Sequence, residues 1–416
     1  MSTPRFPNPS SPVSNKVPLR VLLLENIHPS AEHLMKAEGF VVERVQGALK
    51  PEELTERLKG VHLLGIRSKT NVPESALAHA ESLLAIGAFC IGTNQIELTA
   101  TNRHGIPCFN APFSNTRSVA EMVIAEIIVL TRQLFDRSRE VHTGQWRKVA
   151  TGSHEVRGKT LGIIGYGHIG SQLGVLAESL GMRVVYYDIM TKLPLGNSRS
   201  VPTLGELLAE SDFVTLHVPA TSATNMMIGP AELARMKKGA CLINASRGSV
   251  VDIPALAEAL RSKHLGGAAV DVYPEEPETN SDGFRTELQN LPNVVLTPHI
   301  GGSTEEAQES IGREVATSLI KFVKSGATTG AVNFPQVEVP LIPGTHRILN
   351  VHRNIPGVLR DINRIVSDLN ANIHAQVLST DANIGYLVMD LDQDVSAQVS
   401  EAIAGLNTDI KTRMVS

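Results

Sequence analysis

Cysteine is scarce. Cys90, Cys108 and Cys241 are the only three in 416 residues, and each sits alone in an apolar stretch. Their odd number and wide spacing, with no CxxC or Cys/His cluster, argue against a disulfide framework and a zinc site. No metal is expected; buried free thiols in a reducing cytoplasm are. A basic excess is also missing. The net charge is −4, so no cationic field for nucleic acid or an anionic membrane is predicted. No apolar run reaches the roughly 18 residues that a bilayer span needs. Repeats at solenoid periods are absent. Residues 1–18 have no apolar core of a signal peptide; rich in Pro, Ser and Asn, they read as a disordered tail.

What is present is an α/β alternation. At roughly 100–200 residues per domain, the length predicts two to four domains. Short apolar runs at Arg20–Glu25, Val41–Val45, Leu63–Arg67, Leu83–Ala88 and Pro107–Asn110 read as strands, with helical patterns such as Pro51–Lys59 between them. Ser118 is the expected N-cap of a long helix from Val119 to about His142, with Glu121 as its box partner. A second series follows at Thr160–Gly165, Arg183–Asp188, Phe213–Val218, Ala240–Ser246, Gly267–Val272 and Asn293–Thr297. Runs of Val, Ile, Leu and Ala spaced by helices imply buried parallel sheets. After a helix at Glu305–Val323, the Pro-rich stretch 332–343 reads as a linker. The last residues, 344–416, read β-α-β-β-α-β, a ferredoxin-like order.

One glycine pattern carries chemistry. Gly165-Tyr-Gly167-His-Ile-Gly170 closes an apolar strand and opens a helix. Gly165 permits the tight turn, Gly167 a close approach to a pyrophosphate, and Gly170 tight helix–strand packing, while the helix amides face the phosphates. The next strand ends in Asp188, 18 residues after Gly170, where an acid accepts the ribose hydroxyls. Ile189 and Met190 follow and offer no cation to a 2′-phosphate, so NAD is expected rather than NADP.

Further polar residues fall at the carboxyl ends of the second series of strands, where open α/β sheets gather their functional groups: His217, Ser246, Arg247, Asp271 and His299. Hydride transfer from a 2-hydroxy acid needs a cation for the carboxylate, a base for the hydroxyl proton and an acid to orient that base. Arg247 in NASRG, His299 in TPHIGG and Glu276 in YPEEP are of the right types. Each also has a bland reading: a strand cap, a structural histidine, a solvated acidic turn. No spacing alone brings the three together.

In combination, GYGHIG, NASRG, DVYPEEP and TPHIGGS resemble the D-2-hydroxyacid dehydrogenase family. The resemblance implies two Rossmann-like or flavodoxin-like lobes: a split substrate-binding domain (19–117 and 301–331) and an inserted NAD-binding domain (118–300). It implies Arg247 as substrate ligand, Glu276 as orienting acid and His299 as proton acceptor and donor. The implied cofactor surface comprises Gly165, Gly167, His168, Ile169, Gly170, Asp188, His217, Ala245, Ser246, Arg247, Asp271, His299, Gly301 and Gly302. The segments GTNQ at 92–95, NAPFSNTRSVAE at 110–121 and GQWRK at 144–148 are similar to the members that oxidise 3-phosphoglycerate at the start of serine synthesis. For those, Arg67, Ser68, Asn115 and Lys148 are the implied substrate residues. Arg67 and Lys69 bracketing Ser68 also suit a phosphate physically.

The C-terminal module, 344–416, resembles an ACT domain. That likeness implies L-serine as effector, held by His352, Asn354 and Asn372, in a homotetramer. The single tryptophan, Trp146, is the implied subunit contact. Reduction of 2-oxoglutarate is an implied second activity. Glycerate, lactate and 2-hydroxyglutarate are the rival substrates; the cations Arg67 and Lys148 argue against the first two and do not exclude the third. An NAD-sensing corepressor on the same fold is the rival of another class, but it has no need of an ACT module.

Overall fold

The computed structural model describes residues 18–277 and 282–415; nearly all of the expected N-terminal tail lies outside them. Two units form. One takes its described residues from Met1–Ser114 and Gln308–Ser416, the other from Asn115–Ala307.

The first unit opens with β1 (Arg20–Leu23), β2 (Val41–Arg44), β3 (Leu63–Ile66), β4 (Ala85–Ala88) and β5 (Cys108–Asn110). They form a parallel sheet in the order β2-β1-β3-β4-β5, the flavodoxin-like arrangement. Strands β3 and β4 are buried along their whole length, which is why they read as continuous apolar runs. The helix Glu305–Ser325 packs Val315, Leu319 and Phe322 on one face. On the other lie Leu54, Leu58, Leu77 and Ala100.

The second unit contains β6 (Thr160–Ile164), β7 (Arg183–Tyr187), β8 (Arg199–Ser200), β9 (Phe213–Leu216), β10 (Cys241–Asn244), β11 (Gly267–Val270) and β12 (Val294–Leu296). Their order, β12-β11-β10-β9-β6-β7-β8, is a doubly wound parallel sheet that reverses direction between β6 and β9. The two-residue β8 is too short to leave a pattern in the sequence.

The expected long helix is two helices. Thr116–Arg132 ends where Gln133 adopts φ 51°, ψ 38°, and Leu134–His142 follows. Nor is Ser118 its cap. Asn115 precedes the first turn; Ser118 lies within it, its hydroxyl 2.8 Å from Thr304 Oγ1, and Glu121 pairs with Arg117 instead. The box pattern is present, but helical backbone begins three residues earlier.

In the C-terminal module β13 (Thr345–Arg353), β14 (Ile373–Thr380), β15 (Ile384–Asp392) and β16 (Asp409–Val415) form an antiparallel sheet, order β14-β15-β13-β16. Helices Val358–Asp368 and Gln393–Ala404 cover one face through Val358, Ile362, Val399 and Ile403. The opposite face is not free. Leu349, Val351, Tyr386 and Val388 join the cluster that contains Phe322, Ala331 and Phe334.

The module is therefore part of the first unit, and residues 332–343 are not a free linker. Phe334 and Val337 are buried, and Asn333 accepts from Cys108 N. Arg347, paired with Asp390, donates to the carbonyls of Ser325, Val339 and Pro340. Prolines prevent helix here, yet the apolar residues between them still find the core.

Candidate active site

In the second unit the sequence motifs meet at the carboxyl ends of β6, β7, β10, β11 and β12. Gly165 has φ 90°, and a Cβ there would lie 2.3 Å from the carbonyl oxygen of His217. A Cβ on Gly170 would lie 2.2 Å from Gly165 O, so helix His168–Ser179 approaches the strand only because both are glycine. A Cβ on Gly167 would meet nothing within 4 Å. That open side, at a helix N-terminus, fits a pyrophosphate.

Asp188 follows β7. Its Oδ2 accepts from Tyr166 N and its Oδ1 from Met190 N, both at 2.9 Å. Each oxygen keeps a second lone pair for a ribose hydroxyl. Ile189 and Met190 beside it are exposed and apolar. His217 contributes its ring to the packing: Nε2 lies 3.0 Å from Thr215 Oγ1, and burial pushes its pKa down to about 4, so it is neutral.

The catalytic trio expected from sequence is assembled. His299 Nδ1 lies 2.7 Å from Glu276 Oε2, and Glu276 Oε1 accepts from Tyr273 N at 3.0 Å. Bonding to Glu276 raises the His299 pKa above its ordinary value. Burial pushes the Glu276 carboxyl up, but the bonds from His299 and Tyr273 outweigh it, and the net shift is downward. Arg247 is close enough to lower both pKa values. Its Nη1 donates to Ser246 O at 2.7 Å, and Asn244 Nδ2 donates to Arg247 O at 3.0 Å. Ser246 gives its amide and hydroxyl protons to Asn244 Oδ1. Gly248 locks the two loops together: a Cβ there would lie 1.9 Å from the carbonyl carbon of Tyr273. The arrangement can bind a carboxylate and move a proton at His299 Nε2.

Asp271, at the end of β11, also holds a loop. It is buried and accepts from Thr297 Oγ1, Ile300 N and Gly301 N at 2.6–2.8 Å. These bonds hold the loop in which His299 itself adopts φ 55°. Gly302 makes room for Asn115, whose Nδ2 would lie 2.2 Å from an added Cβ. Asn115 Oδ1 has no hydrogen-bond partner among the described residues. Lys148 and Trp146 lie on an exposed segment of the same unit, Trp146 at 84% exposure.

Arg67 and Ser68 lie in the first unit, just after β3. Sequence reasoning missed what holds them. Buried Glu25 accepts from the amides of Arg67, Lys69 and Thr70 at 2.8–3.1 Å, and Gln95 Nε2 donates to Arg67 O. The available signal was an acid closing the apolar run of β1.

The expected serine residues do not converge within one chain. His352 is buried at 3% exposure, its Nδ1 2.7 Å from Asn350 Oδ1. Asn354 Nδ2 donates to Asp381 O. His352 pairs with Gly385 while Asn372 precedes Ile373, the partner of Leu391. Six strand residues separate those positions, roughly 20 Å.

The D-isomer specific 2-hydroxyacid dehydrogenase NAD-binding domain model matches residues 124–301. A second model, the AHAS small subunit-like ACT domain, matches residues 348–411. The chain is 56% identical to D-3-phosphoglycerate dehydrogenase of Dictyostelium discoideum, over 95% of this chain and 97% of that one. It is 54% identical to D-3-phosphoglycerate dehydrogenase of Escherichia coli K12, over 88% and 89%. The solved D-lactate dehydrogenase of Aquifex aeolicus, complexed with NAD and lactic acid, is 27% identical with a TM-score of 0.65, covering 76% of this chain and all of that one.

Proposed function

The chain belongs to the D-isomer specific 2-hydroxyacid dehydrogenase family, and on that premise we propose that it is an NAD-dependent oxidoreductase acting on D-3-phosphoglycerate. The observation that carries the chemistry is the 2.7 Å His299–Glu276 pair beside Arg247, on the edge that also presents the Gly165 turn. Bound NAD supplies the hydride acceptor. Gly165, Gly167 and Gly170, with Asp188 and the amides opening helix His168–Ser179, would hold it. Arg247 fixes the substrate carboxylate and polarises the C2 oxygen. His299 takes the hydroxyl proton at Nε2, because Nδ1 faces Glu276, and Glu276 stabilises the resulting imidazolium.

The phosphate assignment rests on Arg67 and Ser68, whose backbone Glu25 pins, with Asn115 and Lys148 as further substrate residues. Relatives more than half identical over nearly the whole chain support it. An NADH-coupled panel of 3-phosphoglycerate, lactate, glycerate and 2-hydroxyglutarate tests it; preference for an unphosphorylated acid would overturn it. Asp188 should make NAD the better cofactor by roughly 10²-fold in kcat/KM, through bonding the diol and repelling a 2′-phosphate. Asp188→Ser should narrow that ratio. Equal use of NADP by the unaltered protein would remove Asp188 as the selector.

The same proposal includes a cytoplasmic homotetramer inhibited by L-serine. Free Cys90, Cys108 and Cys241 support a reducing compartment, and no helix among the described residues is long and apolar enough to cross a membrane. Helix Leu134–His142 buries no residue, and its Phe135 and Val141 are exposed, as is Trp146 just after it, an apolar area suited to a subunit contact. The separation of His352 and Asn354 from Asn372 supports an effector site built from two chains. Asn354→Ala and Asn372→Ala should each abolish serine inhibition while activity is retained. A native rate unmoved by millimolar serine would leave the ACT module with an assembly role only.

A further inference from the structure

One buried acid has no place in this mechanism. Glu126, on helix Thr116–Arg132, is 5% exposed, and neither carboxyl oxygen has a hydrogen-bond partner among the described residues. Its helix packs Val119, Val123, Ile127 and Leu130 on the sheet against Ile243 and Val295. The same helix bears on the His299 loop: a Cβ on Gly301 would lie 3.0 Å from both Met122 Cε and Asp271 Oδ2.

Asp271 is the charged group that acts on Glu126. Along β11 the side chains alternate, Ala268 and Val270 to one cluster and Ala269 to the other. Asp271 continues on the Ala269 side, the face covered by helix Thr116–Arg132. Two carboxyl groups therefore share one desolvated face. Asp271 needs its oxygens as acceptors for three donors. Glu126 has none, and an unpaired buried anion would cost several kcal/mol.

We infer that Glu126 is a positioning residue that works as a neutral carboxylic acid, leaving Asp271 the single charge beneath the His299 loop. Its ionisation places a second negative charge beside Asp271, and the repulsion loosens the Asp271 contacts to Ile300 and Gly301 that orient His299. The inference rests on His299 being the catalytic base.

The surroundings of Glu126 favour the neutral acid. Burial first, and Asp271 second, push the Glu126 pKa up to about 8. The other titratable groups there are neutral at that pH: Tyr273, on which Glu126 acts, is pushed up to about 12, and so is Cys241 on β10. The apolar cluster on that helix face also takes residues from β6, β7, β9, β12 and helix His168–Ser179, with Tyr166 and Tyr186 among them.

Two measurements on the whole protein test this, one independent of turnover. The folded protein holds a proton that the unfolded chain releases at the ordinary 4.5. Stability from this group is complete below that value and is lost as pH rises toward 8. Glu126→Gln keeps the shape of the neutral acid and cannot ionise. Its Tm advantage over the native protein should widen between about pH 5 and about pH 8. In activity, its kcat/KM should match the native value near neutrality, and the variant-to-native ratio should rise several-fold above about pH 8. Glu126→Met, of similar size, should show the same pH trend if the glutamine variant folds poorly. A Tm gap independent of pH, a coincident alkaline profile, or a variant inactive at neutral pH would each overturn the inference. A native protein without dehydrogenase activity would instead overturn the role of His299, with the Tm measurement still deciding whether Glu126 is neutral.

Discussion

Replacing His299 by glutamine is expected to lower kcat by roughly 10²–10⁴-fold while leaving NADH binding nearly intact. Glutamine fills much of the imidazole volume and can still bond Glu276, but it cannot accept the hydroxyl proton. The pH dependence carries the sign of the mechanism. Oxidation needs neutral His299, whose pKa the Glu276 bond holds above the ordinary value. In the native enzyme kcat/KM for oxidation should therefore rise with pH through that raised value, and for reduction it should fall through it. Glu276→Gln removes the anion that stabilises the imidazolium. The His299 pKa then drops, and both limbs should move to lower pH, with a smaller loss of rate than in His299→Gln. Steady-state kinetics in both directions, with NADH titration by fluorescence, separate these effects. An unchanged rate in His299→Gln would take it out of the chemistry.

The parallel sheets were legible in the sequence because buried parallel strands consist of little but apolar residues. Each expected run in 20–110 and 160–297 contains an observed strand. Helix ends were harder. At residues 115–118 several side chains can cap, and Ser118 bonded Thr304 instead. No glycine, proline or asparagine marks the break at Gln133, a left-handed residue imposed by how the chain continues. The stretch 332–343 misled for another reason: proline content forecasts the absence of regular structure and says nothing about burial.

The site divides along the same line. The glycines and Asp188 were legible as a strand-end motif of fixed spacing, whereas Arg247, Glu276 and His299 were legible only through the family resemblance. Their supports were not legible. Gly248, Glu25 and Asp271 act through contacts made across loops far apart in sequence, such as Gly248 against Tyr273 and Glu25 against Arg67, and Asn244 through local bonds to Ser246 and Arg247. Asp271 was legible from its strand-end position, but its bonds to the loop that carries His299 were not.

Arg247→Lys should lower kcat/KM for 3-phosphoglycerate by roughly 10²-fold or more, largely through a higher KM, although the positive charge is kept. Arg247 is fixed before substrate arrives. Its Nη1 donates to Ser246 O, its own carbonyl accepts from Asn244 Nδ2, and Gly248 presses the following turn against Tyr273. That anchoring leaves the rest of a planar fork to meet a carboxylate with two parallel bonds. A lysine ammonium offers one point contact on a flexible stem, without the fork's orientation. Charge and geometry separate in a second variant. Arg247 lowers the pKa of both His299 and Glu276 through its charge. Arg247→Met should therefore raise the His299 pKa and move the oxidation limb to higher pH. Arg247→Lys should leave that limb nearly where it stands in the native enzyme. A lysine variant with normal KM and kcat would make Arg247 a structural residue. Equal limb shifts in both variants would mean that the arginine acts on His299 through position rather than charge.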